Sequence, residues 1–123
     1  EKELAATPAV IPQNDQQSGP QLSIEVWELH PQLSSLDRQE VGACAYLDGI
    51  AQENLDTVLF LKTPTQGELH YKGGLTDAGG CTFISLDPVD ARNGETIPYQ
   101  VCIRGTNGEN ICKQDSFLIW GNP

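Results

Sequence analysis

Beyond residue 21, short apolar runs recur along the chain, each bounded by Gly, Pro, Asn, Asp or Ser. Within the runs, apolar and polar positions alternate with a period of two, the spacing of a strand that buries one face. Helical spacing is weak throughout. Strands are predicted at residues 22–29, 41–47, 57–62, 67–72, 80–86, 96–104 and 110–120. Seven short strands with turn signals between them predict an all-β, antiparallel β-sandwich. Residues 31–40 and 51–54 each have room for one short turn of helix.

The alternation also assigns faces. Ala43, Ala45 and Leu47 share one face of the second strand and leave Cys44 and Tyr46 on the other. Thr82, Ile84 and Leu86 share a face of the fifth, opposite Cys81 and Phe83. On the sixth, Tyr99, Val101 and Ile103 leave Cys102 outside. These three cysteines are therefore expected to point away from the core.

The sixth and seventh strands flank the turn Gly105-Thr106-Asn107-Gly108. A type I turn closed by Gly108 in the left-handed region, with a G1 bulge, suits this sequence. That turn sets Gly105 opposite Glu109, Arg104 opposite Asn110, Ile103 opposite Ile111 and Cys102 opposite Cys112. Alternating pair types outward from the turn places the two cysteines at a non-hydrogen-bonded site, where side chains come closest. In a sandwich of this order the second and fifth strands are also sheet neighbours. Bridges Cys44–Cys81 and Cys102–Cys112 are therefore favoured. The chief rival, Cys44 with Cys102 across the core, inverts the alternation. In the same register Lys113 and Asp115 share the face of Ile111. A bulge after Cys112 is expected to return either Phe117 and Ile119 or Leu118 and Trp120 to the core.

Composition narrows the class. The chain has 123 residues, enough for one domain with one core. Residues 1–21 carry Pro8, Pro12 and Pro20 among polar residues and read as a linker or arm, with the sandwich domain at 22–123. The arm includes Leu4, Val10 and Ile11, apolar residues suited to adding a strand to a neighbour's sheet. An even count of four cysteines in a short chain favours disulfides, hence an oxidising compartment and a secreted or cell-surface location. The chain starts at Glu1 and contains no Met, as a processed mature form would. It has no apolar run of the ~18 residues that a spanning helix needs. A net charge of −10 disfavours nucleic acid and anionic lipid as partners, because both are bound through Lys and Arg.

The segment from Thr57 to Pro64, followed by Gly74-Leu-Thr-Asp-Ala-Gly-Gly-Cys-Thr-Phe-Ile84, pairs an apolar strand with a Thr-Asp-x-x-Gly turn and a further strand. With Tyr99-Gln-Val-Cys-Ile103 and its Asn-Gly hairpin, this pattern resembles the immunoglobulin-like and fibronectin-III-like modules of bacterial surface proteins, over residues 41–120. The resemblance implies a seven-stranded immunoglobulin-like sandwich that serves as spacer, adhesin or filament subunit. Its partners would be other surface-protein domains or copies of itself, and it carries over no catalytic residue.

Candidate chemistry is sparse. Asp87, Asp90, Asn93 and Glu95 fall in one loop and offer the hard oxygens that Ca²⁺ prefers, although Asp-Pro and Asn-Gly are also ordinary turn dipeptides. His30 and His70 have no metal-ligand spacing to any cysteine, and no G-x-S-x-G turn presents a serine. No cofactor other than Ca²⁺ is suggested, and no enzyme is expected. Trp27 and Trp120 are candidates for stacking on a carbohydrate, or for ordinary packing.

Overall fold

In the computed structural model, which describes residues 21–121, the alternating runs form nine strands and no helix. They are β1 (Leu22–Glu28), β2 (Gln32–Leu33), β3 (Gln39–Leu47), β4 (Ile50–Ala51), β5 (Thr57–Thr63), β6 (Gly67–Lys72), β7 (Cys81–Leu86), β8 (Thr96–Arg104) and β9 (Asn110–Ile119). One sheet sets β3 between β1 and β7, with β4 also on β3. The other runs in the order β2-β9-β8-β5-β6. All pairings are antiparallel except β2 with β9, which is parallel.

The two sheets share one core. Ile24, Val41, Ala43, Ala45, Ile84 and Leu86 come from the first; Leu59, Leu61, Ile97, Tyr99, Val101, Ile103, Phe117 and Ile119 come from the second. Alternate residues enter this cluster, Val41, Ala43 and Ala45 on β3, Ile84 and Leu86 on β7, and Ile97, Tyr99, Val101 and Ile103 on β8, as the period-two reading requires.

The two helical turns expected at 31–40 and 51–54 do not form. Residues 32–33 lie instead along the end of β9. Leu118 N–H donates to Pro31 O and Trp120 N–H to Leu33 O. The buried Gln39 side chain completes this connection. Its Oε1 accepts the backbone N–H groups of His30 (2.9 Å) and Glu40 (3.1 Å), while Nε2 donates to His30 O at 2.6 Å. With backbone groups taken by a neighbouring strand and a side-chain amide, a helical turn would leave them unpaired. At 50–51 the chain reverses through Asp48 and Gly49, both at positive φ, and β4 pairs back onto β3.

The expected bulge after Cys112 is also absent. The β8–β9 ladder runs unbroken from Arg104–Asn110 to Thr96–Leu118. Phe117 and Ile119 therefore face the core, while Lys113 and Asp115 keep the inward register and are exposed. Only Leu118 and Ile119 of β9 are covered by β2. An inward-pointing charge along the rest of that rim is tolerated because it reaches water, and it deters pairing with another chain.

The Thr-Asp-x-x-Gly turn is a structural clasp. Buried Thr76 Oγ1 accepts from Leu55 N–H (2.9 Å) and donates to Gln52 O (2.6 Å). Asp77 Oδ1 accepts the N–H groups of Gly79 (2.9 Å) and Cys81 (3.0 Å). Gly80 sits at φ +83°, and a Cβ there would come within 2.7 Å of Ala45 O. The turn thereby delivers Cys81 to its register position opposite Cys44.

Candidate interaction surfaces

Both disulfides lie within a sheet: Cys44–Cys81 joins β3 to β7, and Cys102–Cys112 joins β8 to β9. Their Cα–Cα distances, 3.9 and 4.0 Å, suit the close spacing of non-hydrogen-bonded pairs. The hairpin turn matches its sequence. Gly105 N–H donates to Glu109 O, Gly108 N–H donates to Gly105 O, and Gly108 has φ +86°. Cys44 and Cys102 lie off the core cluster, on the outward faces, yet each is nearly fully buried beside its partner. Two disulfides suit an oxidising environment.

The candidate calcium ligands are not gathered. Asp87 pairs with Arg38 (3.1 Å), Asp90 accepts from Thr65 Oγ1 (3.1 Å), and Glu95 Oε1 accepts Arg92 N–H (2.7 Å). Asn93 lies in the same turn, where Gly94 N–H donates to Ile119 O. Among the described residues no group of three or more His, Cys, Asp or Glu side chains is placed to hold a metal ion. The arm residues Leu4, Val10 and Ile11 lie outside the described residues. Among the described residues no helix is long and apolar enough to cross a membrane.

What the strands do assemble is two contrasting outer faces. On the β1-β3-β7 face of the four-stranded sheet, register places Trp27, Gly42 and Phe83 in one row. The Trp27 ring lies over Gly42, where an added Cβ would stand 2.5 Å from Cζ2. Phe83 meets it edge-on, with ring centroids 6.0 Å apart and planes at 82°. Trp27 is 37% exposed and Phe83 57%, so this aromatic corner is open to solvent. The flanking rows carry Glu25 beside the Cys44–Cys81 bridge, and Glu40 beside Ser85. Trp120, 51% exposed, lies away from this corner and approaches Gly94.

On the five-stranded sheet, the outward row across β6, β5, β8 and β9 is His70, Phe60, Gln100 and Gln114. Phe60 and His70 meet edge-on at 4.7 Å, and His70 Nε2 lies 3.3 Å from Glu68 Oε1. Lys62 lies one row to one side, and Lys72 one row to the other, with Arg104 beyond. Shallow hollows open on this face, one lined by Phe60, Lys62, Glu68 and Gln100, the other by Asp56, Val58, Lys72 and Arg104. Three of the chain's seven Lys and Arg residues therefore stand on one face of a molecule with net charge −10, interspersed with the carboxylates Glu68 and Asp56.

Neither aromatic row is legible from local sequence, because each depends on the register of strands distant along the chain. The available signal was Gly42 amid the otherwise fuller side chains of β3, a position where a ring can approach the backbone. No protein-family model and no curated protein matches the chain.

Proposed function

We propose that this chain is a non-enzymatic, immunoglobulin-like module of an extracellular or cell-surface assembly, with a structural or adhesive role. The observation that carries the reading is one disulfide inside each sheet of a two-sheet core. Such staples fit a domain that must persist outside the cell. The strand order supports an immunoglobulin-type sandwich. The edge-to-edge order β1-β3-β7 faces β9-β8-β5-β6, and the seven long strands correspond to the seven expected. The short β2 then carries the chain from the first sheet to the edge of the second. An exposed aromatic corner, and a second face that sets Lys62, Lys72 and Arg104 around its own aromatic centre, are features of surfaces that meet partners.

Localisation tests the reading directly. Antibody against the folded chain should label intact, unpermeabilised source cells or their medium, and mass spectrometry of that material should find all four cysteines oxidised. Cytosolic protein with four free thiols would overturn it.

A further inference from the structure

We propose that the two outer faces are made for each other: the β1-β3-β7 face of one copy docks on the five-stranded face of the next. This rests on the module reading above and names the partner as a second copy of this chain. The two faces match in spacing and in sign. Glu25 and Glu40 stand on adjacent strands, β1 and β3, four residues apart along the sheet. Lys72 and Lys62 stand on adjacent strands, β6 and β5, with the same offset, Lys62 directly opposite Glu68. Each pair therefore spans about 14 Å on its own face, from the strand rise and spacing. Between the carboxylates lies the Trp27–Gly42 row, and between the ammonium groups the His70–Phe60 row. Superposing the faces sets a Glu against a Lys at each end, with Glu68 offsetting part of the attraction at the Lys62 end, and brings aromatic groups together at the centre.

The two faces differ and lie on opposite sides of the sandwich. Their contact is thus head-to-tail and repeats from copy to copy instead of closing as a two-fold dimer. The β1-β3-β7 face is only three strands wide, small against the ~800 Å² per partner of a standard interface, so a single contact is weak. Exposed charge pairs also make it sensitive to salt.

Sedimentation velocity on the intact oxidised chain tests this, at concentrations rising to about 1 mM, the weak end of specific association. The wild type should form species larger than a monomer at low ionic strength and revert towards monomer at high salt. The variants Glu25→Lys/Glu40→Lys and Lys62→Glu/Lys72→Glu should each associate at least about tenfold more weakly. An equimolar mixture of the two should recover association, because each reversed face then meets its complement. If circular dichroism shows the Glu40 change unfolding the chain, the single variants Glu25→Lys and Lys62→Glu, both at exposed positions, repeat the exchange. A wild type that stays monomeric throughout overturns the proposal. So does association that survives in both reversed variants, or a mixture that fails to restore it. None of these outcomes alters where the module resides, which the labelling experiment reads separately.

Discussion

The phenol of Tyr99 donates a hydrogen bond to Glu28 Oε1 at 2.8 Å, linking β8 in one sheet to the end of β1 in the other. Tyr99 is almost fully buried, and Asp115 stands opposite it on β9. Burial comes first, then the hydrogen bond to Glu28 and the charges of Glu28 and Asp115. Together they push the phenol pKa far above its ordinary value. The folded chain thus keeps a proton that the unfolded chain releases near pH 10. Stability from this group is fully present below about pH 10 and falls as pH rises beyond it, by up to ~1.4 kcal/mol per unit. Tyr99→Phe should cost about 1 kcal/mol at neutral pH and should lack this part of the alkaline decline. Denaturant melts of both proteins between pH 7 and 11 measure the difference.

The bridges close loops of different length, with sequence separations of 37 and 10. In the loop-entropy model, Cys44→Ala/Cys81→Ala should lose about 4 kcal/mol and Cys102→Ala/Cys112→Ala about 3 kcal/mol. Urea midpoints under non-reducing conditions rank the two. The reverse order would mean that native-state contacts outweigh loop length.

Gln39 shows no chemistry in the sequence, yet its amide satisfies three backbone groups around a buried position. Gln39→Leu keeps the volume and removes every one of those bonds. The expected loss is about 1 kcal/mol, the net worth of hydrogen bonds to part-buried backbone groups. Amide exchange at His30 and Glu40 should quicken in the same variant.

Lys113 and Asp115 occupy inward register positions on a rim that β2 barely covers. Replacing both with Val should leave the monomer fold intact and make the β9 edge adhesive, since charge there opposes strand pairing. Light scattering during storage of the dilute oxidised protein at high salt, where the wild type is monomeric, checks this, with soluble aggregation expected only in the double variant.

How much the sequence disclosed depended on distance along the chain. The hairpin at Gly105–Gly108 was legible to the residue, because a turn type fixes register across adjacent positions. Faces followed from alternation, so the outward cysteines and the core stripe of Tyr99, Val101 and Ile103 could be read together. Elements held by remote partners could not. Residues 32–33 form a strand only because β9 offers its edge, and nothing local in Pro31–Gln39 encodes that edge. Asp87, Asp90 and Glu95 are close in sequence but diverge to Arg38, Thr65 and Arg92, since a turn aims successive side chains in different directions. Trp27 and Phe83 make the opposite case: far apart in sequence, they meet only through the register of β3 with both its neighbours.

Because neither disulfide crosses from one sheet to the other, the bridges would respond unevenly to a pull on the chain ends. The sheets would be free of any disulfide tie to one another, their parting resisted by the core and by the Tyr99–Glu28 hydrogen bond, while the segments enclosed by each bridge stayed locked. Tension would then release the outer segments and stop short by roughly 160 Å of contour, at about 3.4 Å per extended residue. Adding reductant under load would let that hidden length pay out, giving the tether a second, redox-gated extension.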